Sequence, residues 1–284
     1  MKSKEITKML NNGLYIVATP LGNLEDISER AKNVLESADV IACEDTRISK
    51  KLFQLLGLKT TKQFICYEDH REESVSKNLV SLIKEGKTVA LISDAGSPLI
   101  SDPGYKLVKL CRQENIKVYS IPGACAVICA LQLSGLPTNR FMFAGFIENK
   151  LKARTDLFNE LKNINTTLVF YETAPRLLQT LETAKNIFEN REMAVAREIT
   201  KVYEECINGT AEELIEHFLQ NPPKGEIVLM VAPPLCKENE IDVVQELKKR
   251  LKKMSLKDAA QEVALLSRRK KSEIYALGLK LKDE

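Results

Sequence analysis

The sequence predicts an α/β protein with two medium-sized domains and a small helical extension at its carboxyl terminus. The chain has 284 residues, of which 44% are hydrophobic, which is enough for two cores without metals or disulfides. Short apolar, β-branched runs alternate with helix-length segments, a pattern typical of a largely parallel sheet. After Pro233-Pro234 the pattern changes to charged helical segments, which indicates a linker at that point.

Five strands are predicted in the first half of the chain, at 14–18, 40–43, 63–66, 88–92 and 117–120. The first helix between them is indicated by apolar residues at spacings of three and four: Ile27, Ala31, Val34, Leu35 and Ala38. Pro122-Gly123 ends this block. The first domain is therefore predicted to span 1–121.

A second set of elements follows and predicts a second α/β domain over 122–236. Its strands are expected at 141–144, 167–171, 193–197, 202–207 and 226–231, and its helices at 153–161, 177–188 and 212–219. The third and fourth of these strands are close enough along the chain to form a hairpin. This sheet is therefore predicted to be mixed.

The remaining segment, 237–284, predicts three short helices resembling a helix-turn-helix appendage. Its first helix is indicated by an apolar stripe from 243 to 251. Ser255 and Asp258 have the spacing of a capping box that opens a helix over 259–266. Ser272 is expected to cap the last helix.

This extension is also the basic part of the chain. It carries 13 Lys and Arg against 9 Asp and Glu, a balance of +4, whereas the whole chain has a formal charge of +3. A basic face on a helical segment is typical of a polyanion-binding surface, although a solvated helix face is the alternative. The residues proposed to contact the polyanion here are Lys248, Lys249, Arg268, Arg269 and Lys270.

Composition excludes several classes of protein. The seven cysteines have no repeated spacing and only two histidines accompany them, so we expect no metal site and interpret the cysteines as buried, reduced thiols of a cytoplasmic protein. No apolar run approaches the roughly 18 residues of a membrane span. With no Trp and 6% aromatics, a protein that binds single strands by stacking alone is disfavoured. No G-x-G-x-x-G motif follows the first strand, which disfavours a dinucleotide site.

Two loops lie where an open α/β sheet binds its ligands, at the carboxyl ends of strands. The first is 19–24, with sequence TPLGNL, and the second is 93–104, with sequence SDAGSPLISDPG. Asp94 stands at the exit of the fourth strand, where a carboxylate can accept hydrogens from a ligand or face a cationic centre. The alternative is a pair of Asx turns that only reverse the chain.

At these loops the sequence resembles the tetrapyrrole methylase superfamily, and within it the branch that methylates 16S ribosomal RNA on the ribose 2′-hydroxyl of a cytidine. Small-molecule members of the superfamily usually have Gly-Asp-Pro where this chain has Ser93-Asp94-Ala95. The matching strings run in family order: LYIVATPLGNLEDIS (14–28), ACEDTR (42–47), SDAGSPLISDPGY (93–105), PGACA (122–126), LPTNRFMFAGF (136–146), FYETAPRL (170–177) and AREITKVYE (196–204).

The resemblance implies two α/β domains of tetrapyrrole methylase type with a ligand cleft between them, plus the helical extension. It also implies S-adenosylmethionine as methyl donor, 16S rRNA in the small ribosomal subunit as partner, a homodimer, and no membrane. The donor-binding residues that it implies are Pro20, Asp94, Ala95, Gly96, Ala126, Val127, Tyr171 and Ala196. The chain departs from the family at Ala124, Glu148 and Ala174-Pro175, and because a histidine is usual at the last of these, we assign no histidine a catalytic role.

A ribose hydroxyl keeps its proton at neutral pH, so its methylation benefits from a nearby base or cation. Two polar clusters follow predicted strands and are candidates. Asp45 or Glu198 is proposed to orient or accept the proton, and the flanking phosphate is assigned to three cations: Arg47, Arg197 and Lys201. A structural ion-pair network is the alternative. Two other functions also stay open, a small-molecule tetrapyrrole methylase and a non-catalytic RNA-binding assembly factor.

Overall fold

The computed structural model describes residues 10–234, 242–267 and 269–281. The chain divides into two compact units, Met1–Pro233 and Pro234–Glu284. The first unit contains both predicted sheets, so the division into separate domains at 1–121 and 122–236 stays a prediction. The start of the helical extension at residue 237 also stays a prediction. Arg268, named above, and Cys236, one of the seven cysteines, lie outside the described residues.

The first sheet has five strands and is entirely parallel, as predicted. Its order is β3-β2-β4-β1-β5. The strands are β1 (Gly13–Val17), β2 (Val40–Cys43), β3 (Gln63–Cys66), β4 (Thr88–Ile92) and β5 (Val118–Ile121), and the helices among them are α1 (Glu29–Ser37), α2 (Thr46–Leu55), α3 (Glu72–Lys84) and α4 (Tyr105–Gln113). Helices cover both faces of the sheet, which is why the residues of β2 and β4 are all buried.

The first helix shows why the apolar spacing predicted these elements correctly. Ser28 caps α1 by accepting a hydrogen bond from the backbone nitrogen of Ala31 at 3.1 Å. Ala31, Val34 and Leu35 then lie on one face of α1 and are buried against the sheet.

The second sheet is mixed, also as predicted, with the order β6-β7-β10-β8-β9. Among the described strand pairs of this second sheet, only β6 and β7 are parallel, and the other three pairs are antiparallel. The strands are β6 (Phe141–Phe146), β7 (Thr167–Thr173), β8 (Met193–Arg197), β9 (Glu205–Gly209) and β10 (Glu226–Val231), and the helices are α5 (Ala126–Ser134), α6 (Leu151–Leu161), α7 (Leu177–Phe188) and α8 (Ala211–Gln220).

The hairpin of β8 and β9 is confirmed, but its second strand begins at Glu205 rather than at 202. Residues 198–204 form a turn instead, in which the backbone nitrogen of Lys201 donates to Glu198 O at 3.0 Å and that of Glu204 donates to Lys201 O at 3.1 Å. These local hydrogen bonds override the β propensity of Val202 and Tyr203.

The second compact unit has three helices in its described part: α9 (Val243–Leu251), α10 (Leu256–Ser267) and α11 (Lys271–Lys280). Their buried core includes Leu247, Val263 and Ile274. The capping pair is confirmed, since Ser255 Oγ accepts from the backbone nitrogen of Asp258 at 3.3 Å, but α10 begins at Leu256 rather than at 259. The prediction for Ser272 is wrong, because it lies inside α11.

Six cysteines fall in the described residues and all are free thiols. Cys43 and Cys111 are buried, as predicted, whereas the other four are only partly buried, which corrects that expectation. Across the described helices, none is both long enough and apolar enough to cross a bilayer. The described side chains form no cluster that could hold a metal ion.

Candidate functional site

The two loops singled out in the sequence are joined at the carboxyl end of the first sheet. The backbone nitrogen of Thr19 donates to Gly96 O at 2.8 Å, and that of Gly96 donates to Thr19 O at 3.1 Å. Gly96 has a φ of 79°, and a Cβ there would lie 2.9 Å from Leu21 Cδ2. Glycine is therefore needed at this position both for its backbone conformation and for the close approach of the two loops.

A third loop, which follows β5, closes against the same pair. Ser97 Oγ donates to Ala124 O at 2.9 Å. A Cβ on Gly123 would lie 2.9 Å from Ala18 Cβ, so this loop can approach β1 only with glycine there. Three segments that carry predicted donor-binding residues, around Pro20, around Asp94 and at the start of α5, are thus held together as one surface.

Asp94 is the charged residue of this surface. It is partly buried, and its Oδ1 accepts a hydrogen bond from the backbone nitrogen of Asp45 at 3.2 Å. Burial raises the pKa of the Asp94 carboxyl above its ordinary value, and although the hydrogen bond lowers it, the charge of Asp45 raises it again. A carboxylate in this setting suits the amino or hydroxyl hydrogens of a polar ligand or a neighbouring cationic centre.

The loop beyond Asp94 is strained. Leu99 and Ser101 have φ values of 73° and 65°, in the left-handed region that side chains rarely adopt. Such residues persist only where the surrounding structure holds them, and they concentrate at functional sites.

The far end of this loop is held by a residue that no motif in the sequence indicates. Glu72, the buried first residue of α3, accepts hydrogen bonds through Oε1 from the backbone nitrogens of Gly104 at 3.0 Å and Lys106 at 3.2 Å. The hydroxyl of Tyr67 donates to the same oxygen at 3.1 Å. Glu72 thus caps the amino terminus of α4, where Gly104 has no side chain to do so.

The second sheet contributes two of the predicted donor-binding residues. Tyr171 on β7 is partly buried and packs edge-on against Phe143 and Phe146, with ring centroids 4.7 and 5.3 Å away. Burial raises the pKa of its hydroxyl, and the nearby Cys125 and Asp102 raise it further. Tyr171 packs against the same buried apolar cluster as Leu21 of the loop after β1. Ala196 is buried on β8, where it pairs with Val228.

A cavity of about 410 Å³ opens beside the three loops. This volume is within the range of small-molecule sites. Val127 is the one predicted donor-binding residue in its described wall, and the other lining residues are mostly apolar: Ile16, Ala18, Ser97, Pro98, Ile100, Ser120, Ile121, Pro122, Cys125, Ile128, Phe141 and Phe143. The cavity adjoins Asp94 through the Ser97 segment rather than containing it.

The first predicted catalytic residue, Asp45, caps α2 and pairs with Arg47. Its Oδ1 accepts from the backbone nitrogen of Arg47 at 2.7 Å, and its Oδ2 lies 2.7 Å from Arg47 Nη2. These hydrogen bonds lower the pKa of Asp45 to about 2. Because a general base works best when its pKa is near the operating pH, Asp45 is a weak candidate for proton acceptance.

The second predicted cluster is also paired within the chain. Lys201 Nζ lies 2.9 Å from Glu198 Oε1, and Arg197 forms an ion pair with Glu205. The stem of Lys201 packs on Gly22, so this cluster reaches the loop that follows β1. The pairing favours the alternative of a structural network for these charges.

The basic residues of the extension belong to the second compact unit. Lys248, Lys249, Arg269 and Lys270 are exposed. Lys249 pairs loosely with Glu246, with Nζ 3.7 Å from Oε1, which leaves its charge largely in solvent.

Known proteins show the same fold and sequence pattern. The family profile described as Tetrapyrrole (Corrin/Porphyrin) Methylases matches residues 13–215. The solved structure of a diphthine synthase is similar, with a TM-score of 0.61 and 16% identity over 77% of this chain and 89% of that one. A cobalt precorrin-4 methyltransferase has a TM-score of 0.56 and 18% identity over 77% of this chain and 94% of its own. At these identities the two structures establish the fold.

Curated relatives are much more similar in sequence. The "Ribosomal RNA small subunit methyltransferase I" of Rickettsia prowazekii is 48% identical over 82% of this chain and 82% of its own length. The protein of the same name from Erythrobacter litoralis is 46% identical over 99% of this chain and 100% of its own. The protein of the same name from Haemophilus influenzae is 43% identical over 94% of this chain and 96% of its own length.

Proposed function

The chain belongs to the tetrapyrrole (corrin/porphyrin) methylase family, and we propose that it methylates the ribose 2′-hydroxyl of a cytidine in 16S ribosomal RNA. It is an enzyme, a methyltransferase that uses S-adenosylmethionine. The ribosomal RNA substrate comes from the names of relatives that this chain matches over nearly their whole length.

The observation that carries the proposal is the joined set of loops around Asp94. S-adenosylmethionine supplies a methyl group on a sulfonium, together with an ammonium, a carboxylate and an adenosine. The residues present fit such a donor. Asp94 offers a partly buried carboxylate for its hydrogen-bond donors or positive charge, and Gly96 and Gly123 let the backbone approach closely, as the spacing of the loops requires.

Methyl transfer is an in-line displacement, so holding the hydroxyl oxygen and the methyl carbon in line supplies much of the acceleration. Correct positioning is worth roughly 7–11 kcal/mol of the barrier. This chain contributes by holding its loops in place. Hydrogen bonds between Thr19 and Gly96 join loops 19–24 and 93–104, and Glu72 binds the end of loop 93–104 at Gly104.

The structure favours orientation over proton acceptance for the two proposed catalytic carboxylates. Asp45 holds Asp94 through its backbone nitrogen and has a low pKa, and Glu198 is paired with Lys201. We propose that Asp45 and Glu198 position the donor loop and the turn at 198–204, with the proton of the hydroxyl passing to solvent.

The substrate RNA and the assembly state are also part of the proposal. Exposed cations on α9 and just before α11 support an RNA-binding role for the extension. A homodimer is supported by the exposed apolar side chains Ile128, Phe141 and Phe146, which would be covered in a dimer. A cytoplasmic location is part of the proposal because the proposed substrate is ribosomal RNA. Sedimentation of the purified protein tests the dimer directly.

Transfer of a labelled methyl group to bacterial small ribosomal subunits, followed by mapping of the modified nucleotide, tests the function. The expected result is one 2′-O-methylated cytidine in 16S rRNA. Donor binding by calorimetry without any transfer would instead support a non-catalytic assembly factor, and transfer to a tetrapyrrole would support the small-molecule alternative.

A further inference from the structure

The turn between β8 and β9 is a rigid projection. Glu198 and Thr200 have φ values of 50° and 64°, and neither is a glycine. Two backbone hydrogen bonds within the turn hold this conformation, and a third comes from the backbone nitrogen of Thr200, which donates to Glu204 Oε2 at 2.7 Å. These internal hydrogen bonds, together with the burial of Ile199, keep the two residues in a backbone conformation that side chains rarely adopt.

The turn holds two large apolar side chains out into solvent. Val202 is 93% exposed and Tyr203 is 74% exposed, among the highest values of the described large apolar residues. Single exposed apolar residues are common, but here an aliphatic side chain and an aromatic ring are adjacent at the tip of a strained turn and form an exposed apolar surface.

The charged side chains of the turn are not part of the exposed apolar surface formed by Val202 and Tyr203. Arg197 pairs with Glu205, Lys201 pairs with Glu198, and the carboxylate of Glu204 accepts from the backbone within the turn. Because the two cations of the turn, Arg197 and Lys201, are each paired with a carboxylate of this chain, a partner of the turn meets an aliphatic and an aromatic side chain rather than a phosphate clamp.

The base of the turn packs against the loop that follows β1, which carries the proposed donor-binding residue Pro20. Ile199 is buried in the same apolar cluster as Leu21, whose side chain lies against Gly96. Lys201 packs on Gly22 of the same loop. The base of the turn therefore packs against a loop that we propose to bind the donor, and its tip extends from there into solvent.

We propose that Tyr203 stacks on an unpaired nucleobase of the RNA substrate next to the target nucleotide. This inference rests on the proposed function, because it assigns a subsite for that substrate. Proteins bind unpaired RNA by stacking its bases on aromatic side chains, and immobilising a neighbouring base helps to hold the target hydroxyl in line. One ring at one site is compatible with the low aromatic content of the chain.

The test compares Tyr203→Ala with Tyr203→Phe. The measurements are KM for small ribosomal subunits in labelled-methyl transfer, binding of the same subunits in a filter assay, and the Kd for S-adenosylmethionine by calorimetry. The alanine variant should raise KM and weaken subunit binding by about tenfold, as expected for loss of one stacked base, while the Kd for the donor stays unchanged. The phenylalanine variant should restore both values.

A matched control is Leu55→Ala, which removes a 58% exposed apolar side chain at the end of α2 and should change neither value. Unchanged subunit binding and KM in Tyr203→Ala would overturn the inference. So would a change in oligomeric state by sedimentation, which would assign the turn to a contact between copies. If the wild-type protein transfers no methyl group, the proposed function fails, and the filter assay still decides whether Tyr203 contacts the RNA.

Discussion

Glu72 Oε1 accepts a hydrogen bond from the backbone nitrogen of Gly104 at 3.0 Å, which joins the start of α3 to the start of α4. The loop that carries Asp94 ends at this contact. Burial alone would raise the pKa of the Glu72 carboxyl, but the hydrogen bonds from Gly104 and Lys106 outweigh it and hold that pKa below its ordinary value. Glu72 is therefore ionised at neutral pH and fixes the end of the loop.

Replacing Glu72 by alanine is expected to weaken donor binding as well as stability. The substitution leaves the backbone nitrogens of Gly104 and Lys106 without their acceptor, whereas the hydroxyl of Tyr67 keeps its contact with Ser76 Oγ at 2.9 Å. A buried unsatisfied group costs about 1–3 kcal/mol. Urea unfolding should show the lost stability, and calorimetry below the unfolding transition should show a higher Kd for S-adenosylmethionine. Glu213→Ala is the control, because Glu213 caps α8 in a capping box with Thr210 and should lower stability alone. Equal donor affinity in both variants would limit Glu72 to a structural role.

Asp94→Asn is expected to reduce donor affinity by about tenfold or more, since hydrogen bonds to a charged group are worth about 1.5–3 kcal/mol. The pKa of Asp94 is raised, so its charge is lost on acidification earlier than that of an ordinary carboxyl. The donor affinity of the wild type should therefore fall as the pH is lowered through this pKa, and that step should be missing in the variant. Calorimetry at several pH values measures both effects.

Asp39→Asn is the matched control for this experiment. Asp39 accepts from the backbone nitrogen and the hydroxyl of Thr88, both at 2.7 Å, at the opposite end of β4. Its loss should affect stability but leave donor affinity unchanged. A similar loss of affinity in both variants would contradict the assignment of Asp94 to the donor site.

Asp45→Asn and Glu198→Gln are both expected to lower the rate of methyl transfer, and Asp45→Asn is expected to leave the shape of the pH profile unchanged above pH 5. The pKa of Asp45 is about 2, so this residue does not titrate in that range. Initial rates with labelled donor at a series of pH values provide the measurement. Loss of an ionisation from the profile in either variant would restore that residue as the base, and two rates equal to the wild type would remove both from the mechanism.

Deleting the chain after Lys237 is expected to leave donor binding intact and to weaken RNA binding. The first compact unit ends at Pro233, so the donor-binding loops stay in place. Each lost phosphate contact should reduce the slope of log affinity against log salt by about 0.7–0.9. Lys248→Ala with Lys249→Ala should produce a smaller change in the same direction. An unchanged slope in the truncated protein would show that the extension is not the RNA-binding arm.

The sequence by itself determined most of the elements, because their signals are local. Buried runs such as Val40–Cys43 and the spacing of Ala31, Val34 and Leu35 specify strand and helix within a few residues of chain. The capping pair of Ser255 and Asp258 was found for the same reason. Errors occurred where local propensity competed with a specific turn, as at Val202, or where a helix began without a side-chain cap, as at Ser272.

The tertiary structure determined which groups each buried carboxylate contacts. The contact of Asp94 with Asp45 joins residues 49 apart, and that of Glu72 with Gly104 joins residues 32 apart. No spacing rule reports such pairs, and burial and charge pairing set the pKa of each carboxyl only after the chain has brought them together. The loops proposed to hold the donor were therefore visible in the sequence, whereas the role of Glu72 at the far end of one loop and the exposure of the Tyr203 ring became visible only in the folded chain.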